Sequence, residues 1–251
     1  MTGVRQAIST PSARAELRTW PLDPSLAHLV MVDVSMTPTA EQVADWLATA
    51  YAAPEPDRVS PRAVRTGALY PAAADAFLDC GFVVVDRLAL LERTLTGPQP
   101  RRRRDRTVAL RRVRRRDLPD LAEIDQGAFP DGWGNDATSL REITDATPAA
   151  HSRAAYSRGR SSGPALGFAI TGRAGTTGYL QRVAVRPQAR RSGIGSELID
   201  DAVEWLMRRG ASRALVNTGR DNHAALRLYE RASFERLGEE LVVLEHHRRT
   251  P

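Results

Sequence analysis

The sequence of 251 residues predicts an α/β fold with a mixed central sheet flanked by helices. An alternating apolar strand over residues 179–185 is followed by a basic loop and by a helical apolar pattern over residues 197–209. A short strand, a helical segment and a further strand come next, over residues 213–217, 221–234 and 240–245. This alternation of strands with helices is typical of an α/β fold.

The loop after the first of these strands contains Arg190, Arg191 and the glycine pair Gly193-x-Gly195. Because glycine has no Cβ, its backbone can close around an anion, and the first N–H groups of a helix have no partner within the helix. The two arginines add positive charge beside these N–H groups. The loop is therefore predicted to hold a phosphate or pyrophosphate group.

The first 96 residues contain shorter elements, in the order strand, helix, strand, helix, strand. Residues 1–18 are polar and are expected to be irregular. Thr39 is expected to cap the first helix, whose apolar side chains recur on one face. We expect Cys80, at the end of the second helix, to be a small packing residue and not a nucleophile. The predicted elements span residues 28–34, 39–51, 62–66, 70–80 and 82–95, with a proline-rich loop over residues 53–61.

This first segment repeats the pattern of the second in the same order. Residues 62–67 can be aligned with residues 213–219, and residues 76–82 with residues 228–234. The order of the matches predicts an internal duplication, and chance similarity between two Ala- and Arg-rich stretches is the alternative.

Residues 97–106 form an arginine-rich linker between the two segments. After it, the sequence predicts a strand, two helices and a strand hairpin. Asp117 is expected to cap the first of these helices, with Leu118 and Pro119 in its first turn. These elements span residues 108–113, 117–129, 139–146, 151–157 and 165–171.

In its order of elements and in three motifs, the second segment resembles the GCN5-related N-acetyltransferase (GNAT) superfamily. The motifs are the strand over residues 183–185, Arg190-x-x-Gly193-x-Gly195, and Asn222-x-x-Ala225-x-x-x-Tyr229 with Phe234 five residues later. The resemblance implies a GNAT fold, in which the central sheet splays between its fourth and fifth strands.

The resemblance also implies a division of the chain into domains. We expect a catalytic N-acetyltransferase domain over residues 107–251 and a truncated, GNAT-like subdomain over residues 1–96. Where the catalytic copy has its glycine loop, the first copy has Ser35-Met36-Thr37-Pro38. We therefore expect the first copy to bind no coenzyme.

The resemblance implies that acetyl-CoA is the cofactor and lies in the gap between the splayed strands. The backbone of Val183 and Val185 would bind the pantetheine arm, with the Val183 N–H nearest to the thioester oxygen. Asn222 would also hold the arm, and Tyr229, two helical turns later, would protonate the leaving sulfur. The alternative for Tyr229 is a core aromatic residue with a satisfied hydroxyl. No metal is expected, and the expected cofactor-binding residues are Val183, Ala184, Val185, Gln188, Arg190, Arg191, Ser192, Gly193, Ile194, Gly195, Ser196, Asn222, Ala225 and Tyr229.

The chain departs from the superfamily at the general base. A glutamate often occupies the positions that match Tyr179 and Asn217, and neither residue here is acidic. Three explanations stay open: a water chain ending on a carboxylate such as Asp221 or Glu230, an acceptor amine that loses its proton unaided, or a domain without activity. An α-amine, with a pKa of about 8, needs less help than a lysine side chain at about 10.4. This difference favours a peptide N-terminus or a small-molecule amine as acceptor.

The residues expected to border the acceptor are Phe129, Trp133, Tyr179 and Asn217. Phe129-Pro130 with Trp133 resembles the Phe-Pro-x-Trp turn of the ribosomal-protein N-terminal acetyltransferases, although two residues here separate the proline from the tryptophan. Core packing of Trp133 is the alternative. The duplicated layout also resembles mycothiol synthases, which acetylate an amino thiol-sugar. A non-catalytic module that binds acyl-CoA is the alternative from another class of function.

Composition limits the remaining function classes. The 36 basic residues against 30 acidic ones would ordinarily indicate nucleic acid as a partner, but every basic residue is arginine, as codon bias toward Arg, Ala, Gly and Pro would produce. Only the arginine clusters at residues 101–104 and 111–116 argue for nucleic acid. One cysteine excludes an internal disulfide, and no apolar run reaches the roughly 20 residues that span a bilayer. We expect a cytoplasmic protein without a membrane partner, and the oligomeric state, a homodimer included, stays open.

Overall fold

A computed structural model of the chain describes residues 6–9, 14–32, 37–52, 60–97, 108–158 and 163–248. By their contacts the residues divide into two units, which we call unit 1 (Met1–Ala89 with Gly238–Pro251) and unit 2 (Leu90–Leu237). Most of the expected linker, most of the proline-rich loop and the tip of the expected hairpin lie outside the described residues.

The elements of the first part of the chain alternate strands with helices after an initial run of three strands. The sheet of unit 1 has the strand order β1-β2-β3-β4, with β3 and β4 parallel and the earlier pairs antiparallel. In chain order the elements are β1 (Gln6–Ser9), β2 (Arg14–Trp20), β3 (Asp23–Met31), α1 (Ala40–Tyr51), β4 (Ala63–Thr66), α2 (Pro71–Asp79) and β5 (Val83–Thr94).

The helices of unit 1 pack on this sheet through aromatic side chains. Trp46 of α1 and Phe77 of α2 are fully buried, with ring centroids 6.2 Å apart. Thr39 caps α1 as predicted, because its hydroxyl accepts from the Gln42 N–H at 3.3 Å and the Gln42 side chain accepts from the Thr39 N–H. Cys80 packs against the same core and burial raises the pKa of its thiol, as expected of a packing residue.

The expectation that residues 1–18 are irregular was wrong. Residues 14–20 form β2, in which Ala15, Leu17 and Trp20 are buried while Arg14 and Thr19 are exposed. This alternation of small or apolar residues with polar ones is typical of a strand with one buried face. It was missed because polar residues predominate in the segment as a whole.

The elements of the second part, up to the start of β11, build unit 2, whose strand order is β10-β9-β8-β7-β6. Here β9 and β10 are parallel, and the remaining pairs are antiparallel. In chain order the elements are β6 (Val108–Arg112), α3 (Leu118–Ala128), α4 (Ala137–Asp145), β7 (Ala149–Ser157), β8 (Gly167–Ala174), β9 (Thr177–Val185), α5 (Ile194–Arg208), β10 (Arg213–Gly219), α6 (His223–Arg231) and β11 (Glu235–His247).

Two local expectations for this part need correction. The Asp117 side chain does not cap α3, because its carboxylate accepts from the Arg114 N–H at 2.7 Å and closes a short 3-10 turn before the helix. β11 is also longer than predicted, since it begins at Glu235 and not at residue 240. The exposed residues at its start gave no apolar signal to extend the strand.

The two segments of the chain share a strand and helix order, as their alignment predicted. β3-α1-β4-α2-β5 matches β9-α5-β10-α6-β11, and in both copies the first two strands are parallel. The helix ends also agree: the Phe82 N–H donates to Phe77 O at 3.1 Å, and the Phe234 N–H donates to Tyr229 O at 3.0 Å. Among its described residues, unit 1 has no counterpart of α3 and α4, so it is the truncated copy.

The unit boundaries differ from the expected division at residues 96 and 107. Residues 90–97 fall in unit 2, and the end of the chain falls in unit 1, where β11 pairs with β4 through Glu245 opposite Arg65. The residues from Leu241 to Leu244 are all buried, and Val242 exchanges two backbone hydrogen bonds with Leu69 of unit 1. Strand pairing across nearly 180 residues leaves no local signal in the sequence.

Candidate functional site

The loop between β9 and α5 has the open backbone that its glycines predicted. Pro187–Ala189 form a 3-10 turn, and two residues beyond it are left-handed, Arg191 at φ 63° and Gly193 at φ 84°. Gly193 is the N-cap of α5 and contributes no side-chain cap. The second glycine has a different role, because a Cβ at Gly195 would lie 3.0 Å from the Leu228 side chain of α6. Gly195 thus lets α6 pack close to the start of α5.

The N–H groups of residues 191–196 have no backbone partner among the described residues. The first intrahelical bond of α5 runs from the Glu197 N–H to Gly193 O at 3.1 Å, so the N–H groups before it point out of the helix end. Gln188, Arg190 and Arg191 are exposed around them, and the Arg190 guanidinium donates to Ala128 O at 3.0 Å. The Ser192 hydroxyl is used within the loop, where it donates to Ala189 O. The loop therefore offers backbone donors and arginine charge to an anion.

The parallel strands β9 and β10 part after a short stretch of pairing. Three residue pairs are in register, from Arg213 opposite Thr177 to Leu215 opposite Tyr179. β9 nevertheless continues to Val185 and β10 to Gly219. The remaining length of each strand therefore borders a gap in unit 2, as the GNAT resemblance implied.

A bulge in β9 accompanies this gap. Ile170 of β8 lies opposite Arg182, but the next residue, Thr171, lies opposite Leu180, so Gln181 is an extra residue in β9. Beyond the bulge the Arg186 N–H donates to Leu166 O at 2.9 Å, toward β8. Because N–H groups alternate between the two edges of a strand, those of Val183 and Val185 face the gap.

Helix α6 brings Asn222, Ala225 and Tyr229 to one side. Asn222 is the N-cap, and its side-chain oxygen accepts from the Ala225 N–H at 3.1 Å. The cap fixes the side chain and leaves its NH₂ group available to donate. Tyr229 follows two turns later, is only 6% exposed and contacts Phe234 at a ring distance of 5.9 Å.

No hydrogen bond of the Tyr229 hydroxyl is found within the described part of the chain, and its assignment as a proton donor and not a core aromatic residue stays a prediction. Burial raises the pKa of Tyr229 to about 12, and the nearby charge of Arg182 acts in the opposite direction. The phenol is therefore protonated throughout the physiological range. It can donate a proton or a hydrogen bond, but it cannot serve as a base.

An ion pair that the sequence reasoning missed lies under the predicted acceptor border. Asp125 of α3 is fully buried, and both of its oxygens accept from Arg182 of β9 at 2.7 Å. The same carboxylate accepts from the Asn135 backbone N–H at 2.7 Å and from its side-chain amide at 3.1 Å. Arg182 and Asp125 are 57 residues apart, and only a predicted contact between α3 and β9 could have suggested the pair.

Arg182 also fixes the two aromatic residues expected at the acceptor border. Its guanidinium lies over the Phe129 ring, 3.3 Å from the centroid, and donates to Trp133 O at 2.8 Å. Phe129 and Trp133 are both half-buried. The segment from α3 to α4 is thus held against β9 by the half-buried side chain of Arg182.

The structure supplies no carboxylate base at the two positions where the superfamily often has one. Tyr179 is half-buried and belongs to the last residue pair between β9 and β10 before the gap. Asn217 is exposed and lies on β10 two residues beyond that pair. Asp221 and Glu230 are both exposed. Asp125 is the buried carboxylate of unit 2 among the described residues, and its ion pair with Arg182 makes it unavailable as a base.

Comparisons with known proteins agree with this geometry. Residues 118–234 match the family model described as acetyltransferase (GNAT) family. A comparison with curated proteins gives no match.

Solved structures similar to the chain cover nearly all of it. A GCN5-related N-acetyltransferase from Kribbella flavida has a TM-score of 0.63 and 18% identity, with 96% of this chain and 89% of that chain covered. One from Sphaerobacter thermophilus has a TM-score of 0.59 and 18% identity, with 95% and 78% covered. A tandem GNAT protein from the clavulanic acid biosynthesis pathway has a TM-score of 0.63 and 11% identity, with 96% and 80% covered. At these identities the likeness shows the fold, and it confirms the predicted GNAT fold class.

The described residues contain neither a helix that could span a membrane nor a cluster of metal-binding side chains. No helix among them is long and apolar enough to cross a membrane. Within the same residues, no group of three or more His, Cys, Asp or Glu side chains is placed to hold a metal ion.

The buried ion pair allows a stability test. We expect Asp125→Asn to lower the free energy of unfolding by about 3 kcal/mol, because it leaves the Arg182 charge buried without its partner. Asp145→Asn breaks the exposed pair with Arg141, in which both side chains are more than half exposed, and is expected to cost less than about 0.5 kcal/mol. Urea unfolding of both variants measures the two losses in the free energy of unfolding. Equal losses would show that the buried pair stabilises the fold no more than the exposed pair does.

Proposed function

Because residues 118–234 match the model of the GNAT acetyltransferase family, we propose that the chain is an acetyl-CoA-dependent N-acetyltransferase acting on an α-amine. The acceptor would be a peptide N-terminus or a small-molecule amine. The observation that carries the proposal is the early end of pairing between β9 and β10, next to a helix end with open N–H groups. Acyl transfer from an acyl-CoA follows from the family, whereas the acetyl group and the amine belong to the proposal.

The residues present fit a coenzyme at this site. The N–H groups of residues 191–196 can donate to a pyrophosphate, and the arginines beside them supply the charge that two phosphates require. Along the gap, the backbone of Val183 and Val185 can bond the amides of the pantetheine arm as a neighbouring strand would. The Asn222 NH₂ group is available to the same arm.

When bound, acetyl-CoA supplies a thioester whose carbonyl carbon an amine can attack. The Val183 N–H can donate to the carbonyl oxygen as negative charge develops there, which lowers the barrier because the donor is already fixed in place. The Tyr229 hydroxyl can donate to the sulfur as the C–S bond breaks. Its raised pKa keeps the proton in place until that point.

The missing carboxylate base favours an acceptor that is partly deprotonated in solution. At pH 7 roughly one α-amine in ten is neutral, because its pKa is about 8, against roughly one lysine amine in 2,500 at a pKa of about 10.4. The difference of more than two hundredfold is as large as many base residues contribute. An enzyme for α-amines can therefore work without a glutamate at Tyr179 or Asn217.

A non-catalytic acyl-CoA-binding module is the second candidate, and the same absence of a base favours it. Such a module would share the loop, the gap and the tight binding of coenzyme, but it would not turn acetyl-CoA over. Turnover with a panel of amines separates the two candidates directly.

Tyr229→Phe tests the role of the phenol. We expect kcat to fall by about 10²-fold while the KM for acetyl-CoA stays within about twofold, because the hydroxyl acts on the leaving group and not in binding. Since the hydroxyl has no hydrogen-bond partner among the described residues, thermal stability should be unchanged. Tyr156→Phe, on β7, is the matched control with full activity. An unchanged kcat in Tyr229→Phe would remove this residue from the mechanism.

The number of coenzymes per chain tests the truncated copy. In unit 1, β3 and β4 stay paired along all of β4, and the Thr39–Gln42 box occupies the N-terminus of α1. We therefore expect calorimetry to give one coenzyme A per chain.

Variants at the two helix ends locate that coenzyme. Gly193→Val should abolish the single site, since residue 193 is left-handed at φ 84°, whereas Thr39→Ala should leave binding intact. A stoichiometry of two, or loss of binding in Thr39→Ala, would contradict the assignment.

Paired acceptors test the amine class. At pH 7 we expect kcat/KM to be at least tenfold higher for peptides with a free α-amine than for the same peptides acetylated at the N-terminus and carrying one lysine. Because Tyr229 stays protonated well above pH 9, the rate should rise through the α-amine pKa near 8 and then level off. A preference for the lysine amine would overturn the proposal about the acceptor but not the one about acyl transfer.

A further inference from the structure

A polar cavity of unit 2 lies between the sheet and the C-terminal end of α5. Its volume is about 340 Å³. It lies beside the last turn of α5, and the fifteen residues of that helix separate it from the phosphate loop by roughly 22 Å. The cavity is therefore not part of the proposed coenzyme site. Its lining residues are Arg112, Ala150, His151, Ser152, Arg153, Trp205, Arg208 and Arg209.

One wall of the cavity is preformed. The His151 ring stacks on Trp205 at a centroid distance of 5.0 Å and an angle of 12°. His151 Nε2 is also 2.7 Å from a carboxylate oxygen of Asp201, and Arg153 Nε is 3.5 Å from the same oxygen. These contacts join β7 to α5, so a ligand would meet the wall without reorganising it.

The charges around the cavity do not cancel. Four arginines line it, and two carboxylates neutralise part of their charge, Asp201 at Arg153 and Glu204 at 3.2 Å from Arg208. Four positive charges less two negative ones leave a net charge of +2 from the arginines and carboxylates. Arg112 and Arg209 are exposed and have no side-chain partner within the part of the chain that the structure describes.

The helix dipole explains only part of this arrangement. Cations at a helix C-terminus are favourable by about 0.3–1 kcal/mol, which accounts for Arg208 and Arg209. Arg112 and Arg153, however, come from β6 and β7 and gain nothing from that dipole. Like charges that converge from a sheet and a helix repel one another, and a bound anion removes the repulsion.

We propose that this cavity binds a small phosphate monoester. A phosphate monoester carries about −1.5 to −2 charges at pH 7, which matches the net charge of the lining. Its three free oxygens and second negative charge offer more to several guanidinium groups than the two oxygens of a monoanionic carboxylate do. The volume is at the small end of the range for ligand sites, about 300–1,000 Å³, so the organic part of the ligand is small.

Calorimetric titration of the full chain with inorganic phosphate tests the site, in the presence of saturating coenzyme A. We expect one phosphate per chain, bound at least tenfold more tightly than acetate. Arg112→Ala/Arg209→Ala should weaken phosphate binding at least tenfold. The matched control is Arg115→Ala/Arg141→Ala, which removes the same charge from exposed arginines of unit 2 outside the cavity and should bind phosphate as the wild type does.

The comparison of the two double variants tests the phosphate site even if coenzyme A does not bind to the protein. Equal weakening in both would show that phosphate responds only to net charge, and unchanged binding in Arg112→Ala/Arg209→Ala would place the ion elsewhere; either result overturns the proposal. Thermal unfolding of each variant confirms that both are folded. Because this comparison measures phosphate binding and not turnover, its result is independent of whether the protein transfers an acetyl group.

Discussion

The early end of hydrogen bonding between β9 and β10 is the constraint on which the site depends. Backbone N–H and C=O groups that lie inside a protein without hydrogen-bond partners lower its stability. The edge of β9 beyond Tyr179, which no longer pairs with β10, therefore needs other hydrogen-bond donors and acceptors. A ligand with amides along its length can provide them. The same opening directs Val183 and Val185 toward the gap and separates them from Asn217 on β10. The proposed access of the substrate and the proposed binding of the coenzyme arm by the backbone therefore both depend on the gap between β9 and β10.

The Arg182–Asp125 pair stabilises one side of this opening. Two charges taken from water cost several kcal/mol, and the cost is offset only where every hydrogen-bonding position is filled. Asp125 accepts four hydrogen bonds, from Arg182 and Asn135, while Arg182 also bonds to Trp133 O and covers Phe129. The loop before α4 is held by hydrogen bonds from Asn135 to Asp125 and from Arg182 to Trp133 O. This network favours a single position for the acceptor border over a flexible one.

Sequence reasoning succeeded where a function needs residues that are close in the chain. The Gly193-x-Gly195 loop, the Thr39 cap and the two-turn spacing of Asn222 and Tyr229 are local patterns with local physical causes. It failed where partners are distant: Arg182 meets Asp125 across 57 residues, and the end of β11 pairs with β4. Nothing in a single sequence fixes such pairs, because each partner is compatible with many others until the fold brings the two together. The roles assigned to individual site residues stay predictions.

The two copies differ at the N-termini of the helices α1 and α5. α1 and α5 follow parallel strands in the same order, and both begin with N–H groups that need acceptors. At α1 the Thr39 hydroxyl accepts from the Gln42 N–H and the Gln42 side chain accepts from the Thr39 N–H, so two donors at this helix end already have side-chain partners. At α5 the cap residue is Gly193, which stabilises the helix less and leaves the donors open. Under the proposed function, the missing side-chain cap of α5 leaves N–H groups free for a phosphate, and the missing strand pairing between β9 and β10 leaves backbone groups free for the arm of the coenzyme.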